Sequence, residues 1–313
     1  MTTDLAGQVV SAAPAHGGKS RVGRRRTIDR PPHGGPRRRG RWQRWALTGF
    51  AYALLVALAV AVVYPLLWMV LSSFKNNAEI FGDAWGPPGE FRRHNFADAW
   101  DQGVVRYLGN SVIVTVASSI LVTLFSAWAA YGLTRLDIPL AQPLLLLILG
   151  GLMLSPTVAL IPLFRLLQDL GIYNTHWALI VLYTAFRIPF TVFLIRAYMM
   201  DLPRDVEEAA VIDGAGRAQI FWLVILPLCR PILISAGILQ ALFAWNEFAF
   251  ALVFVNDDDL KTLPVGLVDM QSRLLTNWPV MFAGLTIASL PLIIVFLIGQ
   301  RHLIRGLTEG MGK

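Results

Sequence analysis

The sequence predicts an all-α integral membrane protein with six transmembrane helices and with N- and C-termini on the cytoplasmic side. Three observations carry this expectation. Of the 313 residues, 55% are hydrophobic and only 15% charged, against about 25% charged in soluble domains, and the mean hydropathy is clearly positive. Apolar runs long enough to cross a bilayer recur along the chain, and only a helix satisfies its own backbone hydrogen bonds in hydrocarbon. Lys and Arg accumulate in alternate connecting segments, beginning with the N-terminal one, as expected of cytoplasmic loops.

Residues 1–44 form the first element, a basic cytoplasmic tail. It holds "RVGRRRTIDRPPHGGPRRRGRWQR", a charge block mixed with Gly and Pro that predicts disorder. The net charge of +7 comes largely from this block. It accompanies no folded reader and no series of stacking aromatics, so nucleic acid is not the expected partner. Attraction to anionic lipid headgroups of the bilayer is. The tail's "APAHGGKS" (13–20) imitates a phosphate loop, but neither the strand nor the helix that would aim backbone N–H groups at phosphate flanks it.

The spans are expected at about 46–71, 109–134, 143–164, 177–199, 230–255 and 280–300. The first is too long in its apolar core, and preceded by too long a leader, for a signal peptide. Pro156 and Pro162 should kink or end the third. On the outer side, Phe96, Ala99, Trp100 and Val104 recur at helical spacing, which predicts a surface helix with Trp100 and Tyr107 at interface depth. The other outer loop opens with Asp257, Asp258 and Asp259, read as a solvated turn because the remaining ligands and glycine spacing of a calcium loop are missing. Cys229 is the single cysteine. It can form no internal disulfide and has no cysteine or histidine cluster around it to hold a metal, so neither metal nor cofactor is expected.

Between the fourth and fifth spans lies "DLPRDVEEAAVIDGAGRAQIFWLVILP", about 201–227. Pro203, Asp205, Glu207 and Glu208 suit a helix N-terminus. Asp213-Gly214-Ala215-Gly216 should break that helix, and a second starts near Arg217 before Pro227 leads into the membrane. The product is a helical elbow whose small Ala209 and Ala210 let another protein's groove approach the backbone.

Here the residues resemble the EAA loop of permease subunits in ATP-binding-cassette importers: Glu208, Ala209, Ala210, three residues to Gly214, and a hydrophobic run closing on Leu226-Pro227. The usual isoleucine two residues before Leu-Pro is Val224 in this chain. Further stretches, "NSVIVTVASS" (110–119), "LGIYNTHWALIVLYTAFRIPF" (170–190), "WNEF" (245–248), "TLPVGL" (262–267) and "QRHLIRGLTEGMGK" (300–313), are similar to the carbohydrate-uptake permeases of the maltose type, specifically the second, six-span member of the pair. The resemblance covers about 45–313. It implies a type I ABC importer permease fold in the cell membrane and a heterodimer with a second permease subunit. It also implies two copies of a cytoplasmic ABC ATPase, an extracytoplasmic solute-binding protein and a carbohydrate substrate. ATP hydrolysis would reside in the ATPase, which leaves no catalytic residue in this chain. Glu207, Glu208, Ala209, Ala210, Asp213, Gly214, Leu226 and Pro227 would form the docking elbow, and "RGLTEGMGK" either a second contact in the ATPase dimer or a frayed end.

Polar groups inside a span are costly and mark either a solute route or interhelical glue. Asn246, Glu247 and Arg187 are the candidates. Trp245 could stack on a sugar face or simply pack, and Arg187, which replaces a residue usually uncharged in the family, could pair with Glu247. Two other readings remain: an ion-gradient-driven secondary transporter, for which only Glu247 resembles a carboxylate relay, and an ABC importer for a non-sugar solute. An intramembrane hydrolase is disfavoured because neither H-E-x-x-H nor G-x-S-x-G occurs.

Overall fold

A computed structural model describes residues 39–273 and 277–309, with side chains described from 45 to 271 and from 277 to 301. The tail through residue 38, its 13–20 stretch included, and residues 310–313 of the C-terminal segment lie outside the described residues. Every regular element among the described residues is helical. The chain divides into two units at Leu58/Ala59. Helix α1 (Arg39–Ser72) crosses that division. It begins inside the segment expected to be tail, just past Pro36, once Arg, Trp and Gln replace Gly and Pro. In the first unit its apolar side chains, among them Leu47, Phe50 and Leu54, are exposed, as suits a helix whose solvent is lipid.

In the second unit the end of α1 is pinned by aromatic contacts. The Trp68 indole N–H donates to Ala84 O at 2.7 Å, and the Trp68 ring meets Phe282 edge-on with centroids 5.2 Å apart. After it, α2 (Asn77–Gly82) starts from a reciprocal cap between Asn76 and Glu79. Helix α3 (His94–Ala99) continues through a π turn (Trp100–Val104) into α4 (Val105–Arg135). The surface helix expected from Phe96, Ala99, Trp100 and Val104 is therefore the bent start of the second span. Trp100 is exposed as expected, but Tyr107 is buried, because the turn at Gly103, with φ of +105°, swings the ring inward.

The third expected span, 143–164, is not one helix. α5 (Ala141–Gly150) tightens into a 3-10 turn (Gly151–Met153), the chain breaks at 154–159, and α6 (Leu160–Asp169) follows. Pro156 sits in the break, while Pro162 lies in the first turn of α6, where its missing N–H costs nothing. Helix α7 (His176–Met200) runs unbroken through Pro189. The elbow comprises α8 (Asp205–Ile212), α9 (Arg217–Gln219), a π turn (Ile220–Ile225) and α10 (Leu226–Leu228), and its second arm, Arg217–Leu228, meets α11 (Arg230–Asn246) at a bend of 75°. The fifth expected span, 230–255, stops at Asn246, and α12 (Ala249–Phe254) resumes after an extended Glu247. Helices α13 (Leu263–Arg273) and α14 (Trp278–Glu309) complete the chain. Among the described residues, four helices are long and apolar enough to cross a membrane, or five if the bent elbow and α11 count as one span.

Helix α4 packs against both α7 and α11, and α11 packs on α14. Small residues make these approaches possible: Ser118, Ser126, Ala127 and Ala130 on α4, and Ser235 and Ala236 on α11, are buried. Three apolar clusters result. One joins Val114, Leu179 and Tyr183 to Phe250 and Phe254, a second gathers Ala127, Ile195, Phe221 and Ile232 beside the elbow, and a third holds Tyr107, Leu267 and Val280.

Candidate functional site

The elbow is shaped by local sequence and then fixed by one distant arginine. Asp205, Glu207 and Glu208 occupy the first turn of α8, where carboxylates oppose the helix dipole favourably. The helix ends in a Schellman arrangement. Ala215 N donates to Ala210 O at 2.9 Å and Gly214 N to Val211 O at 3.0 Å, with Gly214 at φ +82°, a left-handed conformation that glycine adopts without a Cβ penalty. Gly216 N donates to Gln219 Oε1 at 2.8 Å, which opens α9. Ala210 and Ala215 lean on the second cluster.

Arg135, the last residue of α4, holds this elbow to the bundle. Its Nη2 donates to Met199 O and to Leu202 O, the carbonyls that close α7. Its Nε stands 3.1 Å from Glu207 Oε1, with the two side chains 3% and 16% exposed. One guanidinium thus joins the ends of α4 and α7 to the first turn of α8. A groove of about 430 Å³ beside it is lined by Tyr131, Arg135, Glu207, Glu208, Ile212 and Arg217, among others.

Of the eight elbow residues expected to dock a partner, Glu208, Ala209, Asp213 and Gly214 are exposed. Glu207 instead faces Arg135, Ala210 and Leu226 pack toward the second cluster, and Pro227 is half-buried in α10. Ile212, read from the sequence as part of a small apolar surface with Ala209 and Ala210, is 85% exposed, and Val211, which sequence reasoning passed over, is 60% exposed. They give the elbow an apolar outer face, and the signal for Val211 is its place beside Ile212 directly before the helix stop.

The residues expected along a solute route have separate surroundings. Glu247 accepts Tyr183 Oη–H at 2.7 Å on Oε2, Phe250 N at 2.8 Å on Oε1, and Ala251 N at 3.2 Å on Oε2. It caps α12, so a break in the span is stabilised by the one carboxylate next to it. Asn246 Nδ2 donates back to Leu242 O at 2.7 Å and is exposed. The Trp245 indole donates to Ala288 O on α14 at 3.3 Å and the ring lines an apolar groove of about 320 Å³ with Val116, Leu242 and Leu292, among others. The expected pairing of Arg187 with Glu247 does not form. Arg187 Nε donates to Gln240 Oε1 at 3.2 Å, and its guanidinium carbon lies 4.8 Å from the ring centres of both Phe190 and Phe243. Glu247 is already committed to Tyr183 and to two backbone N–H groups.

At the end of α4 remote from the elbow, the quoted motifs meet. Asn110 Nδ2 donates to Asp259 O and Lys261 O, and Ser111 Oγ accepts Leu263 N. Asn174, at φ +57°, accepts Asn256 N and Asp257 N on its side-chain oxygen. Asp257 accepts Asp259 N, Asp258 lies 2.6 Å from Lys261 and Asp259 pairs with Arg106, and all three are exposed, as in a solvated turn. Burial works to lower the pKa of the Lys261 ammonium, but the hydrogen bonds it donates to Asp258 and Asp269 outweigh it and hold the group above its ordinary value. Among the described residues no cluster of His, Cys, Asp and Glu could hold a metal.

Residues 123–309 match the family described as the binding-protein-dependent transport system inner membrane component. The chain belongs to this family. "Probable ABC transporter permease protein YurM" of Bacillus subtilis is 46% identical over 84% of this chain and 87% of its own. The diacetylchitobiose uptake system permease protein NgcG of Streptomyces coelicolor is 36% identical over 83% of this chain and 87% of its own. Among solved structures, a bacterial ABC transporter involved in import of the acidic polysaccharide alginate superposes with a TM-score of 0.73, covering 82% of this chain and 96% of that one at 23% identity. The fold is accordingly that of an ABC importer permease, and the chain is a multi-pass inner-membrane component. The family match, residues 123–309, spans the elbow.

Proposed function

We propose that this permease forms a heterodimer with a second permease and carries a carbohydrate, delivered by an extracytoplasmic binding protein, across the cell membrane by alternating access. Two copies of a separate cytoplasmic ATPase drive it, and this chain hydrolyses nothing. Both termini and the elbow face the cytoplasm. The six crossings are made by α1, by α3 with α4, by the broken α5 and α6, by α7, by α11 with α12, and by α14. The sugar substrate rests on the maltose-type stretches of the sequence and on the name of NgcG.

The single observation that carries this reading is the elbow. A short helix with exposed Glu208, Ala209, Val211 and Ile212 presents the acidic and apolar surface that a cleft on another subunit would take. Its tie through Arg135 to α4 and α7 means that a push on the elbow reaches two membrane helices without an intervening soft loop. For coupling, the docked ATPase must bind one state of the permease more tightly than the other, and a rigid connection makes that difference act on the spans.

Gly214→Val tests it. A β-branched residue at φ +82° is strained by about 1–2 kcal/mol although nothing lies within 4 Å of the added Cβ, so the substitution reshapes the elbow without filling a core. Purified in mild detergent, the wild type should bring down an ATPase and a second permease. The variant should keep the permease and bind the ATPase roughly tenfold more weakly. A wild-type chain that purifies alone would overturn the reading in favour of a gradient-driven carrier.

A further inference from the structure

Arg187 lies halfway along α7, and no ion pair among the described residues includes it. Its setting is nevertheless built. Phe190, one turn on, and Phe243 of α11 each place a ring centre 4.8 Å from the guanidinium carbon, and aromatic faces attract a cation there. Gln240 is fully buried. Its Oε1 accepts Arg187 Nε, and its Nε2 reaches Ser118 Oγ at 3.5 Å, so the amide is oriented from α4 and in turn orients the arginine.

These contacts use Nε and the faces of the group. They leave the terminal Nη1 and Nη2 edge, with four N–H donors, without an acceptor among the described residues. An arginine fixed in this way presents parallel donors that match a carboxylate in bidentate fashion. A cation inside a span is costly until an anion meets it, and the nearby carboxylate of Glu247 is spent on Tyr183 and on α12.

We propose that Arg187 is a specificity-determining residue that receives the carboxylate of an acidic saccharide during passage, which makes uronate-containing oligosaccharides the substrate class. This rests on the importer reading above and narrows it. Phe190 and Phe243 hold the guanidinium in place, and Gln240 sets its plane. A neutral sugar gains nothing from the open edge and leaves the cation unmatched.

The test uses the complete transporter, with both permeases, ATPase and binding protein, in proteoliposomes. The probes are labelled tetrasaccharides of galacturonate, mannuronate and glucuronate, each beside its methyl ester, with diacetylchitobiose as a neutral control. At least one acid should be imported at least about tenfold faster than its ester. Arg187→Gln should remove that preference, and Arg187→Lys should keep part of it, since charge survives but the fork does not. Import of neutral sugars alone overturns the proposal and leaves the importer reading intact. So does an unchanged acid-to-ester ratio in Arg187→Gln, or equal loss of both forms, the behaviour expected if a carboxylate of the second permease occupies the open edge. Import of no saccharide of either kind, with ATPase activity responding to the binding protein, overturns both readings.

Discussion

Two half-buried arginines in this permease show different ways of placing a charge in an apolar setting. Arg135 has its Nη2 on Met199 O and Leu202 O and a carboxylate, Glu207, beside its Nε, whereas Arg187 has no ion pair among the described residues and keeps its terminal edge open. The first therefore reads as positioning and the second as recognition. Removing one partner of a buried ion pair strands the other and costs about 3–5 kcal/mol. Arg135→Ala should lower the thermal midpoint of the detergent-solubilised complex markedly, and Glu207→Ala should do so less, because the arginine keeps its two carbonyls. The double variant should be less damaged than the sum of the two, with a coupling of about 0.5–3 kcal/mol. Strict additivity in that cycle would mean that the 3.1 Å approach carries no energy, and the elbow would then be held by its packing in the second cluster and by the backbone.

At the scale of elements, two breaks are capped and one close approach is demanded. The end of α8 is closed by the Schellman bonds at Gly214, and the start of α12 by Glu247. Neither break needs lipid-exposed, unsatisfied backbone. The close approach is between α13 and α4. A Cβ on Gly266 would lie 2.2 Å from the Tyr107 ring, which explains why "TLPVGL" carries glycine where Tyr107 turns inward instead of resting at the interface. Since the atom met is a ring carbon next to the side-chain stem, the ring cannot simply rotate away. Gly266→Ala should cost about 1–3 kcal/mol through overpacking, and with Tyr107→Ala, which removes the Cγ and ring it meets, the double variant should lose less than the sum of the two. Measured by thermal unfolding in detergent, a Gly266→Ala chain as stable as wild type would mean that α13 slides along α4 without penalty.

Across the whole molecule, what the sequence made legible was whatever local chemistry decides. The elbow's start at Asp205, its stop at Gly214 and its restart at Arg217 follow from dipole, glycine and polar signals within a few residues, and all three stand where expected. The break at 154–159 was signalled by Pro156, whereas the one after Asn246 was hidden because an apolar run looks alike whether its helix is continuous or bent. Contacts such as Arg135 with Glu207, or Gln240 between Arg187 and Ser118, join residues far apart in sequence and leave no periodic trace. Those unseen contacts decide how the parts move. If Arg135 fastens α8 to the ends of α4 and α7, elbow and bundle shift as one body when the ATPase dimer closes. Spin labels at Asp201 and Ala218, both exposed, should then report one narrow distance that is the same with and without nucleotide in the assembled wild-type transporter. In Glu207→Ala the distribution should broaden and become nucleotide-dependent, while transport per ATP hydrolysed falls, because part of each closure is absorbed between α7 and α8. A wild-type distance that already changes with nucleotide would place the moving joint at Asp201–Pro203, and Arg135 would then act only as a brace for the resting state.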